Sequence, residues 1–288
     1  MKMYYSEDYV IAGQSHDTWR KSGLIAASLM SDPIPGVEIV APSAATAEQL
    51  CRVHDRVYVE SVRRARPALW TSACASTGGV LAAVKAAMEN GVAGSLSSGL
   101  HHARRDHDSG FCTFNGLALA AFDALEAGAG SVLVLDFDAH CGGGTWSLIQ
   151  DERRIVQIDV AVDSFDKYEP SPPSTLDLVS SGKDYLSVIE NRLRDVQRLS
   201  SGLGLVLYNA GMDPFEGNDL GALRGITRDV LAERERLVFE YCRRCELPVA
   251  FVLAGGYHGA GATEASIVDL HRLTISAAAR AAAGEVAR

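Results

Sequence analysis

The sequence contains no run of about 18 apolar residues, so no helix is expected to cross a bilayer. Its opening, MKMYYSEDYV, is polar and lacks the apolar core of a secretory leader. Basic residues are in deficit: 27 Lys and Arg stand against 36 Asp and Glu, a formal charge of −9. A surface that tracks phosphates needs a basic stripe, so the balance argues against general duplex nucleic-acid binding. Cysteine is scarce. Six in 288 residues (Cys51, Cys74, Cys112, Cys141, Cys242, Cys245) are too dilute for a disulfide framework. A reducing cytoplasm is the expected location. No repeat, low-complexity tract or long linker divides the chain, so one domain over residues 1–288 is expected. The remainder is ordinary for a soluble globular protein, 47% hydrophobic and 22% charged, at a length that buries a large core.

Three apolar runs, 131–136, 203–208 and 248–253, read as buried parallel strands, because strands covered on both faces are continuous rather than alternating. Residues 154–159 read as a fourth. Helix-like segments lie at 77–89, 116–127, 185–199, 226–244 and 264–283. The first has a cap at Ser76 or Thr77 and a stop at Asn90-Gly91. Segments 31–40 and 169–174, rich in Pro, Gly and Ser, read as loops. This alternation predicts an α/β fold, a parallel sheet with helices on both faces. Such sheets bind ligands at the carboxyl ends of their strands.

Those ends carry chemistry. The first run leads into Asp136-Phe-Asp138-Ala-His140, where alternate residues of an extended chain face the same way. A carboxylate and an imidazole two residues apart can chelate one divalent ion, and such mixed sets with an open position suit catalytic zinc. The plainer alternative is a strand terminus whose acids cap nearby amides. The second run ends in Asn209-Ala-Gly-Met-Asp213, which brings another carboxylate close. The third ends in Gly255-Gly-Tyr257, a tight turn that offers either a phenol to the site or only a packed ring. The loop Gly99-Leu-His101-His102-Ala103 places two imidazoles side by side, one able to act as base while the other holds charge. His107 reads as a solvated loop residue, and His16, His258 and His271 have no ligand spacing. Cys242-Arg-Arg-Cys245 has no second pair, and Arg63-Arg-Ala-Arg66 reads as a solvated helix end.

Taken in order, Val-His-Asp-Arg-Val-Tyr-Val (53–59), Gly-Leu-His-His-Ala (99–103), Ser-Gly-Phe-Cys-Thr-Phe-Asn (109–115), Asp-Phe-Asp-Ala-His (136–140) with the glycines after it, Ala-Gly-Met-Asp (210–213) and Gly-Gly-Tyr (255–257) resemble the histone deacetylase superfamily. This is the zinc-dependent arm of the arginase–deacetylase fold, which includes acetylpolyamine amidohydrolases. The resemblance implies that Asp138, His140 and Asp213 hold a zinc ion, with iron(II) as the alternative. It implies that His102 shuttles the proton, that His101 holds charge with Asp136 as partner, and that Tyr257 donates to the oxyanion. Phe111 would wall a narrow tube for an extended acyl amine. The implied reaction is hydrolysis of a linear N-acyl amine, such as acyl-lysine or an acetylated polyamine.

Four departures qualify the pattern. Cys141 stands where a second histidine is usual, and Gly143 stands where an Asp or Asn normally supports the second catalytic histidine, so His102 is expected to lose that support. Gln157-Ile-Asp159 replaces a stretch that usually helps coordinate a structural potassium ion near Asp136, and the Tyr-Pro-Gly-Thr-Gly signature of the pocket mouth is absent from 162–180. Two other readings stay open: an inactive metal-binding homologue that recognises acylated ligands or partners, for which Gly143 is the warrant, and a ureohydrolase with two manganese ions. The latter would need a further acid where Gly142 stands.

Overall fold

The computed structural model describes residues 1–14, 16–199 and 202–284, and among these eight strands form one parallel sheet. In chain order the elements are β1 (Lys2–Tyr4), α1 (Lys21–Ser31), β2 (Glu38–Val40), α2 (Ala47–Leu50), α3 (Arg56–Ala65), α4 (Pro67–Asn90), β3 (Val92–Ser95), α5 (Gly116–Glu126) and β4 (Ser131–Asp136). They continue as α6 (Gly143–Ile149), β5 (Ile155–Ala161), β6 (Thr175–Leu178), α7 (Gly182–Leu199), β7 (Leu203–Gly211), α8 (Arg228–Arg244), β8 (Val249–Ala254) and α9 (Glu264–Ala282). The strand order is β2-β1-β3-β8-β7-β4-β5-β6. Among the described residues no helix is long and apolar enough to cross a membrane.

The continuous apolar runs work because successive side chains alternate between the two faces. Val132, Val134, Leu205, Leu207 and Val252 pack in one core with residues of α3, α4 and α5. Leu133, Leu135, Val206, Tyr208, Phe251 and Leu253 pack in the other with α1, α7, α8 and α9. Fully burying an aliphatic side chain contributes ~1.5–3 kcal/mol, so each run holds helices on both faces at once.

The four expected strands are present. Strand β7 runs three residues further than its apolar run, through Asn209-Ala210-Gly211. Four short strands were not expected. Among them β2 lies in the stretch 31–40 that reads as a loop, where Glu38–Val40 pairs with β1 at the sheet edge. Helix α4 begins at Pro67, nine or ten residues before the expected cap, and Ser76 and Thr77 lie buried inside it. The small residues there are contact residues: a β-carbon at Gly78 would strike the Ser43 carbonyl, and one at Gly79 the Tyr9 hydroxyl. Proline at its start and Gly91, at φ 89°, at its end bound the helix.

In register, Asp136 on β4 lies opposite Asp159 on β5 and Asn209 on β7. The carboxyl ends of these central strands, and of β3 and β8, open on one edge of the sheet. The motifs at 99–103, 136–140, 210–213 and 255–257 leave from that edge.

Candidate active site

Two strand exits supply the acidic half of the site. Beyond β4, the chain turns so that Asp138 Oδ1 accepts the backbone N–H of His140 at 3.0 Å. Beyond β7, Asp213 Oδ1 accepts the N–H of Ala139 at 3.0 Å, which ties the two exits together. Beneath them sits Arg234 of α8, fully buried, whose Nη1 donates to Phe137 O at 3.0 Å and Gly211 O at 2.7 Å. Its Nη2 pairs with Glu235 at 2.6 Å. A guanidinium donates in several directions at once, so one side chain fixes both exits.

His140 Nδ1 then lies 3.2 Å from Asp138 Oδ1 and 3.1 Å from Asp213 Oδ2. The three ligating atoms all fall within 4.8 Å of one another. Burial works against charge on His140, yet the two flanking carboxylates push its pKa up to about 11. Burial, together with the nearby Asp138 charge, raises the pKa of Asp213. Beyond its contact with His140 Nδ1, Asp213 Oδ2 has no hydrogen-bond partner in the protein. One nitrogen and two carboxylate oxygens, buried and converging on one point, match the donor set of a divalent zinc or iron ion. Asp138, His140 and Asp213 therefore fit a metal.

The histidine pair comes from the loop after β3. Asn115 caps α5 by accepting from Ala118 N at 2.9 Å, and its amide donates to the carbonyls of His101 and Ala103, each at 3.2 Å. His54 holds the same loop from the other side, with Nδ1 2.8 Å from Arg104 O and Nε2 accepting from Asn115 N at 2.9 Å. His101 Nδ1 donates to Asp136 Oδ2 at 2.8 Å, and the other oxygen of Asp136 accepts from Asn209 Nδ2 at 2.8 Å. Burial opposes charge on His101, but Asp136 and Asp138 override it and push its pKa up to about 10. Burial and the neighbouring His101 push His102 the other way, down to about 4. Adjacent rings, with centroids 3.9 Å apart, thus hold opposite protonation states.

His102 is not left unsupported, contrary to what Gly143 suggests in sequence. Its Nδ1 lies 2.9 Å from Asp166 Oδ2, and Asp166 comes from the loop between β5 and β6. The same oxygen accepts from Gly144 N at 2.9 Å, and the other oxygen pairs with Arg104.

Tyr257 follows the Gly255-Gly256 turn, where both glycines have positive φ, and its N–H donates to Asn218 Oδ1 at 2.7 Å. Burial, with Asp213 and Asp138 nearby, raises its pKa well above 10, so the phenol keeps its proton. Lys21 of α1 is buried beneath this turn. It pairs with the Gly255 carbonyl, and its Nζ lies 6.0 Å from the Tyr257 ring centroid. Burial lowers its pKa to about 8 against the pull of Asp213 and Asp138. The mouth is aromatic. Phe111 packs on His16 with centroids 3.8 Å apart, His16 meets Tyr257 at 5.3 Å, and Phe165 lies 5.0 Å from His102 and 5.9 Å from His140. Gln157 is buried behind β4, its Nε2 donating to Gly142 O at 3.1 Å and Tyr168 Oη at 3.0 Å.

The site thus brings together Asp136, Asp138, His140, Asp213, His101 and His102, with Tyr257 and Phe111 at its mouth. Sequence reasoning missed Lys21, Asn209, Phe165 and Asp166. Asn209 alone had a signal, as a polar residue ending an apolar run. His258, set aside as a ligand, pairs through Nδ1 with Asp17 at 2.6 Å, and Cys141 is buried with Sγ 3.4 Å from the Asp163 carbonyl.

The family model described as the histone deacetylase domain matches residues 16–168. The chain is 33% identical over 186 residues to an uncharacterized protein of Picosynechococcus, covering 63% of this chain and 61% of that protein. It is 30% identical over 187 residues to histone deacetylase 2 of Arabidopsis thaliana, covering 62% of this chain and 48% of the relative. The matches therefore span about half to three fifths of the length of these relatives. The crystal structure of an acetylpolyamine aminohydrolase from Burkholderia pseudomallei shares the fold, with a TM-score of 0.79 at 19% identity, over 96% of this chain and 98% of that one. By the length of the matched domain, this chain belongs to the histone deacetylase family.

Proposed function

We propose that the chain is a metal-dependent amidohydrolase, one catalytic domain that removes an acyl group, in the first place acetyl, from a linear amine such as acyl-lysine or an acetylated polyamine. The observation that carries this reading is the pair of buried histidines, each hydrogen-bonded to its own carboxylate, beside the Asp138–His140–Asp213 donor set. A zinc or iron(II) ion held by that set supplies Lewis acidity to the amide carbonyl and to water. His102, kept neutral with its Nδ1 proton on Asp166, has Nε2 free to take a proton from the attacking water and pass it to the leaving amine. His101, held cationic by Asp136, stabilises negative charge as it develops. Tyr257 donates its phenolic proton in a hydrogen bond to the oxyanion. Phe111 and Phe165 line the approach of an extended alkyl amide and exclude water from it.

The oxygens Gln157 Oε1, Asp159 Oδ1 and Asn209 Oδ1, close behind Asp136, receive no hydrogen bond from the protein, and we assign a structural potassium ion to that region. The inactive-homologue reading loses its warrant once Asp166 supports His102. A dinuclear ureohydrolase needs a second ligand set, and among the described residues the one cluster of this kind is Asp138, His140 and Asp213. All six cysteines are unpaired, which suits a reducing cytoplasm.

The test is metal analysis together with release of acetate from a fluorogenic acetyl-lysine amide and from a mono-acetylated diamine. About one zinc or iron per chain, with turnover of either substrate, supports the reading. A metal-loaded protein that releases acetate from neither overturns it.

A further inference from the structure

The loop between β5 and β6 does two things at once. Its main chain runs along the β4 exit: Val162 N and Asp163 N both donate to Ala139 O at 2.8 Å, and Cys141 N donates to Phe165 O at 3.0 Å. Phe165 N in turn donates to Asp163 Oδ1 at 2.7 Å. This seats Phe165 against His102 and His140 and delivers the next residue, Asp166, to His102 Nδ1. A carboxylate can only accept, so that nitrogen carries the proton and Nε2 faces the site with its lone pair. The His102 and Asp166 side chains are 6% and 5% exposed, so water does not compete for the bond.

Asp166 is held as firmly as it holds. Arg104 and the Gly144 amide occupy its two oxygens, and its backbone sits at φ 60°, a left-handed conformation that only Leu100, Phe111 and Glu246 share among the described non-glycine residues. Leu100 directly precedes the histidine pair and Phe111 stands at the mouth, so three of these four strained positions belong to the site. Gly143 explains itself here. A β-carbon there would collide with the backbone oxygen of Asp166 and lie 2.8 Å from its Oδ1. The strand exit carries no acid because the loop's acid fills that space.

We propose that Asp166 is the positioning residue for His102, delivered by the same loop that supplies the Phe165 wall, and that Gly143 is required for that loop to dock. This rests on the amidohydrolase reading for its kinetic consequence, but not for its structural one. The experiment uses the full chain and the variants Asp166→Ala, Asp166→Asn and Gly143→Ala. Histidine ¹⁵N spectra are recorded on the metal-free proteins, with His102 assigned from His102→Gln. Initial rates are measured on the zinc-loaded proteins with acetyl-lysine amide.

Wild type should show His102 protonated at Nδ1. Asp166→Ala and Gly143→Ala should both lose that tautomer preference, although the second removes no polar group. Asp166→Asn should retain it through its amide oxygen. Loss of such a support typically costs ~10–100-fold, and it should appear in kcat with KM and zinc content unchanged. An unchanged His102 tautomer in Asp166→Ala, or full kcat in both Asp166 variants, overturns the proposal. If wild type hydrolyses no acetyl substrate, the amidohydrolase reading fails by itself, and the tautomer comparison still decides the role of Asp166. Should Asp166→Ala not fold, Gly143→Ala decides: an unchanged His102 tautomer in that variant overturns the proposal.

Discussion

The site has two halves that are built differently. Asp136, Asp138, His140 and Asp213 leave from two adjacent strands, and Arg234 fixes both exits from below. His101, His102, Phe111, Phe165 and Asp166 come from loops, held by His54, Asn115 and Arg104. In the first half the sheet itself sets the spacing. In the second, single side-chain bonds and left-handed residues set it, and the same chemistry can be supplied from a different point on the chain. His101 takes its carboxylate from a strand and His102 takes its own from a loop.

The comparison can be broken most severely on the strand side. Asp213→Asn should abolish stoichiometric zinc binding and amide hydrolysis, since the donor set then lacks a charge; elemental analysis and acetate release check this. Tyr257→Phe should lower kcat by ~10²–10³ with KM little changed, because the phenol acts only as charge develops. An equal effect on KM would place Tyr257 in substrate binding instead. Arg234→Met should destabilise the fold by ~3–5 kcal/mol in urea denaturation, because Glu235 would remain buried without its cation and two strand-exit carbonyls would lose their donor.

The loop side is expected to fail by acid. Burial lowers the pKa of His54 to about 4 from an ordinary 6.5, so below pH 6.5 the unfolded chain binds a proton that the native chain refuses. The stability from His54 is therefore complete above pH 6.5 and is lost as pH falls from 6.5 toward 4, a total of about 3 kcal/mol. His54→Asn should be less stable at neutral pH but show a flatter decline over that window. A parallel decline in variant and wild type would assign the acid sensitivity elsewhere.

The strand half was largely legible in sequence for the same reason that it is rigid. Runs such as 131–136 are apolar on both faces, and the polar residues at their ends stand out against them. The short strands were not legible: Val92-Ala-Gly-Ser inside the sheet and Glu38-Ile-Val at its edge are too short to show a period. The start of α4 was hidden because its buried face is made of small residues, Ser, Ala, Cys, Thr and Gly, several of which elsewhere mark caps and turns. Asp166 lies 64 residues from His102, and its approach depends on a left-handed turn at a residue type with several uses. From Gly143 alone the sequence points to a missing acid, whereas the structure supplies it from another segment.

The buried Lys21 gives the site a particular charge balance. Asp136, Asp138, Asp166 and Asp213 contribute four negative charges, and His101, Arg104 and Lys21 contribute three positive ones, since the pKa values of His101 and Lys21, about 10 and about 8, keep both protonated at neutral pH. His140, whose pKa is about 11, carries a fourth positive charge in the protein alone and brings these groups to neutrality. A dication would displace the His140 proton, because a ligating imidazole is neutral, and leave an excess of one positive charge. The proton that the attacking water gives up stays in the pocket on His102, so that excess would persist while the oxyanion forms, placed to offset it.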